Sequence, residues 1–460
     1  MAQINGKKLT LVPRIPYVPI EPWDWFKENG LEDKGGGGMP MGEGPTLTPS
    51  IHIKDGALTA PPLPTVYGGT ISNATAEDLR IVSYDGYTGG IYVEGADSDY
   101  TVNGAVISLS GNGEGLGEQS AGAGVSNHAH LTLHDCLIDC TGASRTCTSA
   151  SNGSVLRVYD SALISHGAPF GPDSPDPVEY RSAPAPLEIR GNNRTHCTVQ
   201  NSYSYFYRCL VTADGWAALS TDASAGYVYL EANDCKVVTT KSGYGAYADW
   251  GCHDVFNRCK FDVASQGVIM AGEASVRFTD STISCGTYLA LIHCVMGRHT
   301  EVGELTLTGC QIKSAKHAIE VRSQNAVVTL ENCTVETDGA LMHTMKNTDP
   351  HAAIVNGRPT PGDELHLISM EAKGDILHED PEREMRVYLA SASLTGAIIN
   401  AALIMDPGSR WYATGDSNVV IAGDMCTEQI DAPAGVTITA SAESGQGTYQ
   451  LLSGGTLIIK

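Results

Sequence analysis

Val228-Tyr-Leu-Glu-Ala-Asn-Asp-Cys235 decides how this chain is read, because the chain keeps returning to it. Tyr205-Phe-Tyr-Arg-Cys209 precedes it, and Val255-Phe-Asn-Arg-Cys259, Val276-Arg-Phe-Thr-Asp-Ser281, Leu305-Thr-Leu-Thr-Gly-Cys310 and Val328-Thr-Leu-Glu-Asn-Cys333 follow. The spacing is roughly 22 to 29 residues. Each copy is a short run with alternating apolar residues that ends on a small Cys or Ser. A second apolar pair, a polar turn and a third short run come next. A unit this short cannot bury its own apolar face. Stacked copies, about 4.8 Å apart, bury a continuous core. The spacing therefore predicts a solenoid of three-strand rungs, with the Cys/Ser residues forming an inward column at a tight corner.

The pattern extends outward from there. Leu131-Thr-Leu-His-Asp-Cys136 and Leu156-Arg-Val-Tyr-Asp-Ser161 continue the column towards the N-terminus. Leu365-His-Leu-Ile-Ser-Met370 and Val387-Tyr-Leu-Ala-Ser-Ala392 continue it towards the C-terminus, and residues 396–460 read as the last rungs and their cap. Residues 167–186, with six prolines, and residues 346–363 read as loops thrown out from the rungs. In rung length and turn chemistry the chain resembles the pectin-lyase-like superfamily over residues 66–460. The resemblance implies an all-β fold, a right-handed parallel β-helix. Pectate lyases carry an aspartate cluster for calcium with a nearby arginine. Polygalacturonase-like hydrolases carry Asn-Thr-Asp, Asp-Asp and Gly-His-Gly. Neither set occurs here, so no residue role transfers, and fold alone does not give function.

Residues 1–65 read as a Pro/Gly-rich extension. Its proline run favours extended backbone. Glu21-Pro-Trp-Asp-Trp-Phe-Lys-Glu28 has the start of a short helix, and residues 35–38 are four glycines. A cap over the first rung is the favoured reading, because a solenoid must close its ends. An arm that joins a homo-oligomer or covers a site is the other.

Composition narrows the classes. A net charge of −23 over 460 residues argues against nucleic acid and anionic membrane as partners. No apolar run approaches a membrane span, and no signal peptide opens the sequence. Six of the 13 cysteines fall in the small-residue column, and no Cys-x-x-Cys pair occurs. Packing thiols without a leader point to a reducing cytoplasm. No phosphate-binding loop, dinucleotide fingerprint or serine-hydrolase elbow is present, so no cofactor is expected.

Chemistry is sought on the third strand of each rung. Aligning Trp216-Ala-Ala-Leu-Ser-Thr-Asp222, Tyr244-Gly-Ala-Tyr-Ala-Asp-Trp250, Gly267-Val-Ile-Met-Ala-Gly272, Tyr288-Leu-Ala-Leu-Ile-His293, His317-Ala-Ile-Glu-Val-Arg322 and Ala340-Leu-Met-His-Thr-Met345 gives two outward columns. One reads Leu219, Tyr247, Met270, Leu291, Glu320, His343. The other reads Thr221, Asp249, Gly272, His293, Arg322, Met345. His293 is the expected proton shuttle, Asp249 its orienter or a base, Tyr247 a second acid and His343 a reserve acid. Arg322, Glu320, Trp250 and Arg190 are the expected substrate-binding residues. This set points to a lyase or isomerase working by proton transfer on a hydroxylated or carboxylated small molecule or oligosaccharide. A glycoside hydrolase on the same face, and a non-enzymatic adhesin or scaffold, are the alternatives. His128, His130 and His134 are weighed as a two-histidine metal site, with uncoordinated histidines preferred. The tyrosines at 203, 205 and 207, with Tyr244, Tyr247 and Trp250, are weighed as a stacking platform for a sugar.

Overall fold

In the computed structural model, residues 47–113, 117–169, 186–222, 226–293, 302–322, 324–346, 362–380, 383–423 and 426–460 are described, with the backbone of Gln3–Ile4 and Lys7–Lys8. Two compact units divide at Ser265/Gln266. Each is a parallel β-helix.

Each rung turns its corner the same way. In the first unit Asp135, Asp160, Arg208, Asp234 and Arg258 have φ of 52, 50, 53, 55 and 53°. In the second unit Asp280, Gly309 and Asn332 have φ of 48, 67 and 51°. This left-handed bend is tolerated best by Gly, Asn and Asp. The two arginines are held there by paired bonds to the preceding rung: Arg208 to Asp160, both at 2.7 Å, and Arg258 to Asp234, both at 2.9 Å. The next residue is the small one. Cys136, Ser161, Cys209, Cys235, Cys259, Ser281, Cys310 and Cys333 are all buried.

Hydrogen bonding explains the choice of Cys or Ser. The bend leaves a strand-end carbonyl two residues back. Cys235 Sγ donates to Asn233 O (3.3 Å), and Ser161 Oγ donates to Tyr159 O (2.7 Å). The same atoms accept an amide from the rung before: Cys209 N–H to Cys235 Sγ (3.4 Å) and Cys136 N–H to Ser161 Oγ (2.9 Å). A small side chain that both donates and accepts satisfies both groups at these corners; Met370 and Ala392, which follow the same bend at Ser369 and Ser391 (φ 51 and 52°), are buried there without such a group.

Three stacks of parallel strands result. The strand before the corner runs in register through His130–His134, Val155–Tyr159, Tyr203–Tyr207, Val228–Asn233 and Cys252–Asn257. The strand after it runs through Leu137–Thr141, Ala162–His166, Leu210–Ala213 and Lys236–Thr239. The third runs through Ala123–Ser126, Thr148–Ala150, Arg194–Val199, Ala217–Asp222 and Tyr244–Asp249. Phe206, Phe256 and Phe261 fill the first unit's core. In the second unit the third stack is Val268–Ala271, Ala290–Ile292, Ile319–Val321, Met342–Thr344 and Ile376–His378. A hairpin of Gly447–Gln450 with Thr456–Ile459 ends that unit.

The solenoid starts earlier than residue 66. Thr48–Lys54 already pairs in parallel with Thr88–Glu94. Its Ile51/Ile53 alternation is short and is hidden in the sequence by the prolines that follow. Most of the extension, and both loops apart from a few flanking residues, lie outside the described residues.

Among the described residues no helix is long and apolar enough to cross a membrane. None of the twelve described cysteines is in a disulfide, and only Cys426 among them is exposed.

Candidate functional site

The expected site residues divide between the two units. Arg190, Tyr247, Asp249 and Trp250 belong to the first; His293, Glu320, Arg322 and His343 belong to the second. The residues of each unit are described by themselves.

Register corrects part of the expected columns. Leu219 pairs with Ala246, and Ser220 pairs with Tyr247, so Leu219 and Tyr247 face opposite ways. Ile269, not Met270, pairs with Leu291. Leu291, Glu320 and His343 do stand in one column. A slip of one residue sends a side chain to the other face of a strand. His293 follows Ala290–Ile292 and is fully buried, with its amide bonded to Met270 O at 2.8 Å. It offers no solvent-facing imidazole.

In the first unit, Arg194 lies 3.5 Å from Asp222, and Tyr244 lies 3.0 Å from Ser220 Oγ. The rings of Tyr244 and Tyr247 are 5.6 Å apart. Cys252 Sγ lies 3.4 Å from Asp249 Oδ1. Burial, then the charges of Asp249 and Asp222, push the Tyr247 phenol well up, so Tyr247 keeps its proton. It can donate a hydrogen bond but is a poor acid. Trp250 is half-buried, and Arg190 is exposed.

The second unit carries the tighter cluster. Glu320 is fully buried in a strand whose Ile319 and Val321 point inward. Its Oε1 accepts from Arg322 Nε at 2.7 Å, and its Oε2 lies 2.8 Å from His343 Nδ1 on the next rung. His343 Nε2 lies 3.6 Å from Glu379 Oε2. Burial opposes charge on His343, but Glu320, aided by Glu379, outweighs it and raises the pKa.

His317 completes the cluster. Its ring centroid lies 4.7 Å from that of His343, and it stacks on Tyr288 at 6.2 Å. Its Nδ1 accepts the Ala340 amide at 2.8 Å. Burial lowers its pKa; Glu320 opposes this, while His343, Arg322 and Lys316 add to it. Two neighbouring imidazoles are thus pushed apart, one towards the charged form and one towards the neutral form. The sequence reading passed over His317, because it stands in the turn before its strand, where alternation says nothing. The usable signal was its position three residues ahead of Glu320. Glu379, just past Ile376–His378, carried none.

The His128, His130 and His134 candidates do not form a cluster of ligand atoms among the described residues. His128 sits in a turn at φ 65°, off the strand His130–His134, and His134 stacks on Tyr159 at 4.7 Å. Tyr159 in turn stacks on Tyr207 at 5.2 Å. Of the tyrosines weighed as a platform, Tyr207 belongs to this stack, while Tyr203 and Tyr205 lie tilted against Tyr229 at 6.5 and 5.8 Å. Two clefts of about 760 and 950 Å³ in the second unit lie among the C-terminal rungs, around Trp411 and Val420, and contain no histidine.

No family model matches this chain, and no curated protein matches it.

Proposed function

We propose that the chain is an acid/base enzyme, a lyase or isomerase that needs no organic cofactor, and that it works at His343, Glu320, Arg322 and His317. The observation that carries this reading is the pair of imidazoles 4.7 Å apart with pKa values shifted in opposite directions. Neighbouring titratable groups pushed apart by their surroundings mark an acid and its counterpart. His343, charged and held by Glu320, is the proton donor, and the base in the return step. His317, neutral, donates a hydrogen bond to a developing oxyanion. Arg322 fixes Glu320. Compared with the sequence expectation, His343 moves from reserve acid to principal acid, and His293 drops out.

The substrate proposed is a hydroxylated or carboxylated compound. Support for a carbohydrate is the fold alone. Free, buried thiols fit a reducing compartment, which favours the cytoplasm.

The test has two stages. Wild type is screened by thermal shift against sugar acids, oligosaccharides and keto acids; a ligand at 100 times its dissociation constant adds about 2.7 kcal/mol. Each hit is then incubated in D₂O and followed by proton NMR. Exchange of a carbon-bound proton that His343→Gln abolishes is expected. Exchange unaffected by that substitution would move the chemistry off this cluster, and a hit with no exchange or turnover would favour a binding module.

A further inference from the structure

By residue type, His317, Glu320 and His343 would be taken for a divalent-metal site, since their ligand atoms lie within 4.8 Å of one another. Their protons contradict that reading. A metal-bound histidine presents one bare nitrogen to the ion and donates its other N–H. His317 Nδ1 is already an acceptor, of the Ala340 amide at 2.8 Å, so the ring proton is on Nε2. A metal at Nδ1 would displace that amide; a metal at Nε2 would require stripping the last ring proton. His343 has a carboxylate oxygen near each nitrogen, Glu320 at 2.8 Å and Glu379 at 3.6 Å, so both nitrogens have a partner for an N–H. Glu320 accepts from Arg322 through one oxygen and meets His343 through the other. Each Glu320 oxygen, both His343 nitrogens and His317 Nδ1 thus already have a partner.

What the cluster offers a ligand is donors and positive charge. His317 presents Nε2–H. Arg322 and the charged His343 stand beside it, and Lys316 lies 5.6 Å over the Tyr288 ring that stacks on His317. Among the described residues Glu320 and Glu379 lie against His343. Glu320 is locked between two partners, whereas the Glu379 side chain is 60% exposed.

We infer that the His317–Glu320–His343 cluster binds an oxyanion, a carboxylate or phosphate group, and not a divalent cation. The inference rests on the reading of this cluster as the working site and narrows its substrate to an anionic one. The anion accepts from His317 Nε2–H; with a carboxylate substrate, the charge that develops when the adjacent carbon loses its proton falls on that same group, beside His343.

The test uses the full chain and three probes: zinc chloride, sodium acetate and inorganic phosphate, titrated at constant ionic strength against unfolding temperature. Acetate or phosphate should raise the midpoint, and the stronger of the two distinguishes a carboxylate ligand from a phosphorylated one. His317→Gln keeps an acceptor for Ala340 and an outward N–H, so it should retain most of the effect. His317→Ala should weaken anion binding about tenfold or more. Zinc should give no shift that depends on these residues. A zinc shift lost in both His317→Ala and His343→Ala would overturn the inference, and so would the lack of any shift with both anions. Side-chain nitrogen NMR gives a separate readout: His317 should show the Nε2–H tautomer, and an Nδ1–H tautomer would also overturn it. Anion binding without proton exchange on any substrate would sink the enzymatic proposal and leave this inference standing.

Discussion

Glu320 and His343 occupy register-matched positions on adjacent rungs, with 2.8 Å between Oε2 and Nδ1 and the carboxylate fully buried. The pair makes stability depend on pH in a defined direction. The folded pKa of His343 lies above its ordinary 6.5. Its contribution is therefore complete below about pH 6.5 and is lost as the pH rises through the folded value. Unfolding midpoints measured from pH 6 to 9 should fall more steeply for wild type than for His343→Gln. Parallel curves would mean that the ring is not held charged.

Removing the other partner is the harsher change. Glu320→Gln leaves Arg322 and a charged imidazole without their shared carboxylate in a buried site. Breaking a buried pair from one side costs about 3 kcal/mol or more. Chemical denaturation at pH 6 should show a loss of that order. A loss below about 1 kcal/mol, the range of exposed pairs, would mean that water reaches the pair.

A third prediction concerns the first unit's core, where His196 is fully buried between Thr148 Oγ1 (2.9 Å) and Thr198 Oγ1 (2.6 Å). Burial pushes this histidine down to about 3, so it stays neutral in the fold. Its contribution is complete above the ordinary 6.5 and drains away as the pH falls towards 3. At pH 4.5 the deficit is about 2 to 3 kcal/mol, from two units at about 1.4 kcal/mol each. Between pH 7 and 4.5, His196→Gln should lose less stability than wild type by about that amount. Equal losses would show that His196 is not the group responsible.

What the sequence disclosed follows from how strict each position is. The Cys/Ser column was legible because a left-handed corner and a small two-way hydrogen-bonding side chain admit few residues, so the spacing repeats visibly. The Glu320–His343 column was legible because polar residues stand out on strands flanked by apolar ones. The register around Val268–Ala271 was not, because all four residues are buried and no alternation distinguishes inward from outward. The alignment slipped there by one residue. His293 was misplaced for a related reason: it lies past a strand end, where alternation no longer governs burial.

Asp254 supplies a fourth prediction. It is almost fully buried, 3.0 Å from Thr221 Oγ1, which also lies 2.8 Å from Tyr247 O. A hydroxyl has one proton. Thr221 donates it to the Tyr247 carbonyl, and the contact to Asp254 is satisfied when the acid itself donates. Burial raises the Asp254 pKa well above 3.8, which agrees with a neutral acid. A raised acid stabilises fully below about pH 4, and its contribution is lost as the pH rises through the folded value. Asp254→Asn keeps a donor and carries no titration. Relative to wild type it should gain stability as the pH rises from 4 to 7, read as the difference between their unfolding free energies. A constant difference across that range would show Asp254 to be ionised in the fold.

The corner column gives the last prediction, and it separates hydrogen bonding from size. Cys235 donates to Asn233 O and accepts the Cys209 amide. Cys235→Ser should cost less than about 1.5 kcal/mol, since Ser161 does the same work at an equivalent corner and a near-isosteric change in a packed site costs no more than that. Cys235→Ala should cost about 1 to 3 kcal/mol, because it leaves a buried amide and a strand-end carbonyl without partners. Cys235→Val should cost at least as much: it restores bulk but neither bond, and its added carbon crowds a close-packed corner. The order Ser, then Ala, then Val, read from denaturation midpoints at fixed slope, is the signature of a hydrogen-bonded corner. If valine proved milder than alanine, the column would be held by packing volume, and the recurrence of Cys and Ser at this position would need another cause.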